Sequence, residues 1–392
     1  MTTRRSGIRL AKRLDEVGFS GIVEIRNKVM AMREGGLEVH ALHGGEPYFE
    51  TPEEIKYAAI KALTENKTHY APSSGLLPLR KALAAKLAAK NGIRATADEV
   101  IVTVGGTQGL YAAFQSALDP GDDALVFSPY WTPIGDLVTG AQARPLLVPT
   151  STARRNGIRK TLEQFSTKHT RAIYYNTPQN PSGTVFTRQE AEEVAAFAIE
   201  RDLIVIADEA YEDLVYDGEH VSIASLRGMA ERTITCFTFS KTYAMTGWRA
   251  GYAVAKEPFM TALRKIVLYS TNGVATPVQY AMIQALSTPE PVIAARREEY
   301  RKRRDILVAA LNDVGLECEP PAGAFYAFPN VEKINKNSRT AAQILLDKAH
   351  IATVPGSVFG AQGEGHLRFG YGISIKEIEA CAEVLRRFLT KA

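Results

Sequence analysis

Cysteine is scarce in this chain: Cys236, Cys318 and Cys381 are scattered through 392 residues. Their odd number, with no C-x-x-C pair, excludes a disulfide framework and fits a reducing compartment, so a cytoplasmic location is expected. No apolar run is long enough to cross a bilayer. The basic start, Met1 to Arg13, lacks an apolar core and a cleavage site, and reads as an arm rather than a signal peptide. Charge of neither sign dominates, with 47 Lys and Arg against 43 Asp and Glu. That balance argues against a dedicated nucleic-acid binder and permits small anionic ligands. His40 and His43 have no partnering acid motif, so no metal centre is expected. Internal repeats and low-complexity segments are also missing.

What is present is a long alternation of strands and helices. Apolar strands are expected at 100–104, 124–127, 145–148, 171–175, 203–207, 233–239 and 250–255, with helices between them, including 109–118 and 188–201. This pattern predicts a three-layer α/β/α fold with a mostly parallel sheet covered on both faces. Ligands in such folds sit beyond the carboxyl ends of the strands. After Lys256 the pattern changes. Helices are expected at 258–270, 277–287, 291–314, 340–350 and 375–389, and strands at 316–319, 325–328, 351–354 and 367–371. The expected organisation is an arm (1–20), a large ligand-binding domain (49–290), and a smaller α+β domain built from 21–48 and 291–392. Thr51 and Pro52 are expected to cap a helix over 53–64. The charged run 296–304 reads as a solvated helix face in which Glu298–Lys302 and Glu299–Arg303 pair, rather than as a nucleic-acid stripe.

The chemistry-bearing residues fall at strand ends. Lys241 follows the strand 233–239 and precedes Thr242-Tyr243-Ala244-Met245-Thr246-Gly247-Trp248-Arg249. A lysine amine is a nucleophile at neutral pH only where desolvation or nearby cations lower its pKa. Lys241 therefore reads as an imine-forming anchor for an aldehyde cofactor, the alternative being a solvated surface lysine. Arg249 can grip a phosphate, helped by the Thr238 and Ser240 hydroxyls. Gly105-Gly106-Thr107 offers backbone amides at a helix start, a phosphate site or a plain turn. Asp208 ends an apolar strand and needs a partner: a protonated ring nitrogen, with Tyr211 on a phenolic oxygen, or a structural salt bridge. Asn180, between Gln179 and Pro181, suits an oriented amide, and a cis bond before Pro178 or Pro181 is compatible with the turn. Trp131 can stack on a flat ring or fill a core. Arg368 in the apolar strand Leu367-Arg368-Phe369 suits a bidentate grip on a carboxylate or an ion pair.

Together, the segments Asn176–Gly183 (NTPQNPSG), Asp208–Tyr211 (DEAY) and Ser240–Tyr252 (SKTYAMTGWRAGY), with Gly45-Glu46-Pro47 and Arg368, resemble the class I aminotransferases of fold type I. The likeness is greatest to the bacterial aspartate/prephenate and broad-specificity branch. It implies pyridoxal 5'-phosphate as cofactor and amino transfer from an L-amino acid to a 2-oxo acid by ping-pong kinetics. By resemblance, Lys241 is the Schiff-base lysine and proton shuttle, and Asp208 holds the pyridinium nitrogen. Asn180 and Tyr211 bond the ring oxygen, and Trp131 stacks on the ring. Gly106, Thr107, Thr238, Ser240 and Arg249 hold the phosphate, and Tyr70 reaches the phosphate of a neighbouring subunit in a homodimer. Arg368 and Gly45 take the substrate α-carboxylate, with Trp131 and Asn180 beside it. Two departures bear on the donor. Thr107 stands where some acidic-substrate relatives carry lysine, and Tyr48 where many carry aspartate. With His43 they point to a neutral or aromatic donor side chain. The alternative on the same scaffold is a C–S β-lyase or another eliminating enzyme. The segment 19–23 is expected to act as an apolar lid.

Overall fold

The computed structural model describes residues 11–18 and 21–390. The expected arm therefore lies mostly outside the described residues, as do Phe19 and Ser20 of the expected lid. Twelve strands follow in order. They are β1 (His40–Ala41), β2 (Val100–Val104), β3 (Asp123–Ser128), β4 (Arg144–Pro149), β5 (Thr170–Asn176) and β6 (Ile204–Asp208), then β7 (Thr233–Thr238), β8 (Ala250–Val254), β9 (Tyr326–Ala327), β10 (Ile351–Ala352), β11 (Val354–Pro355) and β12 (Leu367–Gly370).

Seven of these form one sheet in the order β2-β8-β7-β6-β5-β3-β4. Only β8 runs against its neighbours. The carboxyl ends of β2, β3, β5, β6 and β7 therefore share one edge. Both faces are apolar because alternate residues serve opposite layers. Ile204 and Ile206 of β6 pack on one side with Leu110, Phe114 and Leu263, and Val205 and Ala207 on the other with Val194 and Phe197. This is the expected three-layer architecture.

The chain's second half closes over that edge. Strands β11-β12-β9 make an antiparallel sheet, and β1 pairs in parallel with β10. Leu307, Leu311, Leu345, Ile378 and Leu385 pack on Phe325, Leu367 and Phe369. The Gly370 amide donates to the Leu42 carbonyl at 2.6 Å, tying β12 to the segment that leads into Gly44.

Four local expectations need correction. The helix expected from Gly109 begins at Gly105, so the glycines form its first turn. Residues 316–319 form no strand; instead, Asn312 donates to and accepts from the Cys318 backbone, at 3.0 and 2.9 Å. Thr51 does not cap Glu53–Thr64. Its hydroxyl donates to the Ala244 carbonyl at 2.5 Å and accepts from Trp248 at 3.1 Å. The charged run lies on the helix Glu290–Asp313, and part of it is interior. Glu299 does pair with Arg303, but Glu298 pairs with Arg301 and Lys302 with Glu299. Arg303 and Arg304 are buried, donating to the carbonyls of Ile373 and Pro321.

Candidate active site

The turn Phe239–Arg249 carries the lysine and is held from several sides. Thr51 and Trp248 brace Ala244, the Thr242 hydroxyl donates to Asp213 at 2.7 Å, and Arg296 donates to the Thr242 carbonyl. Ala244 and Arg249 adopt positive φ, letting the chain double back into β8. That places Lys241 at the wall of a 750 Å³ cavity between the sheet edge and the second half of the chain. Its Nζ donates to the Gly45 carbonyl at 2.6 Å. Burial lowers the pKa of the Lys241 amine, and Arg368 and Arg249 push it the same way. Lowering the pKa of an amine that faces a cavity favours the nucleophilic form.

Asp208 lines the same cavity and is buried. Its Oδ2 accepts from the Tyr174 hydroxyl at 2.7 Å and its Oδ1 from the Ala210 amide at 3.2 Å. Burial nevertheless raises its pKa to about 6, because desolvation penalises the charged form. A cationic partner would reverse that.

Gly106 and Thr107 open the helix that follows β2, and Thr238, Ser240 and Arg249 face them across the cavity. The approach is close. A Cβ on Gly105, where φ is +69, would lie 2.5 Å from an Arg249 guanidinium nitrogen, and one on Gly251 2.5 Å from the Gly105 carbonyl carbon. Helix-start amides, two hydroxyls and a guanidinium form a cradle for a dianion.

On the far wall, Arg368 is buried, donating to Asn180 Oδ1 and to the His43 carbonyl, each at 3.0 Å. Its Nε has no partner among the described residues, which leaves it free to meet an incoming acceptor. Asn180 is thereby oriented with its amide nitrogen free. Tyr211 lies 2.9 Å from Tyr326, hydroxyl to hydroxyl. Trp131 and Gly45 also line the cavity. Burial first, then Arg368, Arg33 and Arg26, holds His43 down at about 4, so its ring is neutral at physiological pH. The bonds before Pro178 and Pro181 are both cis.

Every residue that the resemblance assigns to cofactor or substrate lines this one cavity, except Tyr70. Its ring is 94% exposed and away from the lining. Tyr48 is also outside the lining, its ring 4.1 Å under the Arg303 guanidinium. Tyr326 and Tyr174 escaped sequence reading, since an aromatic residue in an apolar strand looks like core. The donor set fits pyridoxal phosphate: a cradle for the phosphate, an acid for the ring nitrogen and a buried amine for the aldehyde. One metal-like trio, Glu209, Glu212 and His220, occurs among the described residues; most of its polar atoms are engaged internally, while Glu209 Oε1 and His220 Nδ1 are buried without a partner among the described residues. Lys86 pairs with Glu212 at 2.5 Å, and His220 and Ser222 lie within 2.8 Å of Glu209.

The family profile for aminotransferase class I and II matches residues 38–385. The aspartate/prephenate aminotransferase of Thermus thermophilus is 38% identical, covering 98% of this chain and 99% of its own. An aromatic-amino-acid aminotransferase of Thermococcus litoralis is also 38% identical, over 97% and 98%. The structure of the Thermus thermophilus aspartate aminotransferase with maleate superposes with a TM-score of 0.92 at 37% identity, over 97% and 100% of the two chains. The chain belongs to the class I and II aminotransferases and is a pyridoxal-phosphate-dependent transaminase.

Proposed function

We propose that this transaminase uses Lys241 to hold the cofactor aldehyde and to carry the proton at the substrate Cα. The observation that carries the assignment is the position of its desolvated amine between Asp208 and Arg368 in one cavity. Asp208 keeps the ring nitrogen protonated. Tyr211 and Asn180 orient the ring oxygen, Trp131 covers the ring, and Gly106, Thr107, Thr238, Ser240 and Arg249 take the phosphate. Arg368, with Gly45, receives the α-carboxylate common to both substrates of the ping-pong cycle. When bound, the cofactor supplies a conjugated ring that accepts the electron pair left at Cα. Lys241 is general base and then general acid. The transaminase names of the relatives give an eliminating lyase no support.

For the donor, Thr107 places a neutral hydroxyl at the phosphate end, and Ile22, Leu110 and Ile373 add apolar wall, which favours a neutral or aromatic side chain. A second reading rests on Arg26, which lines the cavity and makes no ion pair among the described residues. It favours a donor with a second acidic group, as the names of the aspartate/prephenate relatives suggest. A panel of amino donors, followed as loss of cofactor absorbance in the first half-reaction, separates the two. Phenylalanine well ahead of aspartate supports the first. Aspartate ahead, with the lead lost in Arg26→Ala, supports the second. Lys241→Ala is expected to be inert with every donor.

We place the cofactor unit at 49–290 and the smaller unit at 21–48 with 291–392. Together they form half of a homodimer in which Tyr70 reaches the partner's phosphate. Exposed Tyr57, Ile60, Leu63, Tyr70 and Tyr269 support such an interface. Three free, buried cysteines support a cytoplasmic location. No helix among the described residues is long and apolar enough to cross a membrane.

A further inference from the structure

Asp208 is gripped from beneath as well as from the cavity side. Tyr174 lies on β5 two residues before Asn176, which pairs with Asp208 across the strands. Alternation along the strand puts Tyr174 and Asp208 on one face. Tyr175 points the other way, its ring 4.9 Å from that of Phe186. Tyr174 is 1% exposed, packed among Phe114, Ile206 and Cys236, and is not part of the cavity lining. Its phenol meets the carboxylate at 2.7 Å.

We propose that Tyr174 is a positioning residue for transamination: its phenol fixes the plane of the Asp208 carboxylate and keeps it anionic, so that the cofactor ring nitrogen holds its proton. The inference rests on the role given to Asp208 above. A buried carboxylate without donors takes up a proton, and a neutral acid gives a pyridinium no ionic partner. The groups facing Asp208 are Tyr174 from β5, Cys236 from β7, the neighbouring Glu209, and Lys241 and Tyr211 across the cavity. Glu209 favours the neutral form and Lys241 the charged form, while the Tyr174 phenol is the foremost influence opposing burial. Burial holds the phenol itself far above its ordinary range, so it remains a donor at every working pH. The other donor, the Ala210 amide, is longer at 3.2 Å. Phenol and amide together clamp one oxygen each, which stops the carboxylate from turning.

The test is Tyr174→Phe, which removes one hydroxyl and keeps the ring that packs on Phe114. Pyridoxal phosphate is titrated into the stripped variant across pH, and kcat and KM are measured on the reloaded enzyme. Cofactor Kd at neutral pH is expected to rise about tenfold, in keeping with loss of a hydrogen bond to a charged group. The pH below which binding weakens moves upward from near 6, and kcat falls while KM holds. Tyr175→Phe is the control. It removes a buried hydroxyl with no partner among the described residues, and should change none of these values. An unaltered Kd and pH midpoint in Tyr174→Phe overturn the proposal. Should that variant not fold, a fluorinated tyrosine placed at 174 keeps every contact and strengthens the donor. The midpoint should then move downward, and a fixed midpoint is equally fatal. Asp208→Asn separates the two levels. If it binds and turns over like the parent, the role of Asp208 falls and that of Tyr174 with it. If only Tyr174→Phe is silent, the positioning role alone falls.

Discussion

Asp208 titrates near 3.8 in an unfolded chain, and burial raises it to about 6 in the folded protein. The sign of its effect on stability follows. Between those values the folded state holds a proton that the unfolded state has released, so the ionised carboxylate opposes folding. The penalty is absent below about pH 4, grows as pH rises through about 6, and levels off on the order of 3 kcal/mol. Stripped of cofactor, Asp208→Asn should therefore melt a few degrees above the parent at pH 7.5. The gap should close on acidification toward pH 4, in scanning calorimetry of both proteins. An unchanged gap across that range would mean that Asp208 carries no such burden. Lys241, Asp208 and Arg368 were legible because each is a charged residue set in or just after an apolar strand, where a structural part alone is an expensive use of charge. Tyr174 and Tyr326 were not legible. Their hydroxyls matter, but in a strand of β-branched and aromatic residues the ring accounts for the residue already. Partner identity decides such cases, and partners come from other strands.

At the scale of elements, β8 crosses the start of the helix Gly105–Ala117 with no room between them. A methyl on Gly251 would sit 2.6 Å from the Gly106 nitrogen as well as against Gly105, both of them backbone. Gly251→Ala must push β8 away from the phosphate cradle. It is expected to cost about 1–3 kcal/mol of stability and to weaken cofactor binding more than substrate KM, by denaturant titration and by dialysis against pyridoxal phosphate. A variant as stable and as tightly loaded as the parent would refute this. The sheet strands were readable from the chain because burial on both faces demands unbroken apolar runs. The helix start at Gly105 was misplaced because glycines carry the signature of a turn, while here they are needed inside the helix for close approach. The buried arginines of Glu290–Asp313 were misread for a similar reason. Spacing along a helix shows which charges can pair within it, but not that Arg303 finds the Ile373 carbonyl 70 residues away.

For the whole molecule, the apolar side chains left on the surface carry the next prediction. Tyr57, Ile60 and Leu63 project from one helix and are each more than half exposed. Leu63→Asp is expected to convert a dimer into monomers in sedimentation velocity, and to lower cofactor retention if Tyr70 serves the partner's site. Monomeric parent protein would remove the case for both. Shape at this level was the least legible in the sequence, since neither the cavity nor an assembly surface has a local pattern.

Lys241 and Gly45 are 196 residues apart, yet the amine of one rests on the carbonyl of the other. This contact ties the segment around Gly45 to the turn that carries Lys241. An amine that engages an aldehyde must let go of that carbonyl. On the role proposed for Lys241, loading the cofactor would release the carbonyl of Gly45, in the segment proposed to receive the substrate, so that one side chain would govern both the grip on the vitamin and the tether across the cleft.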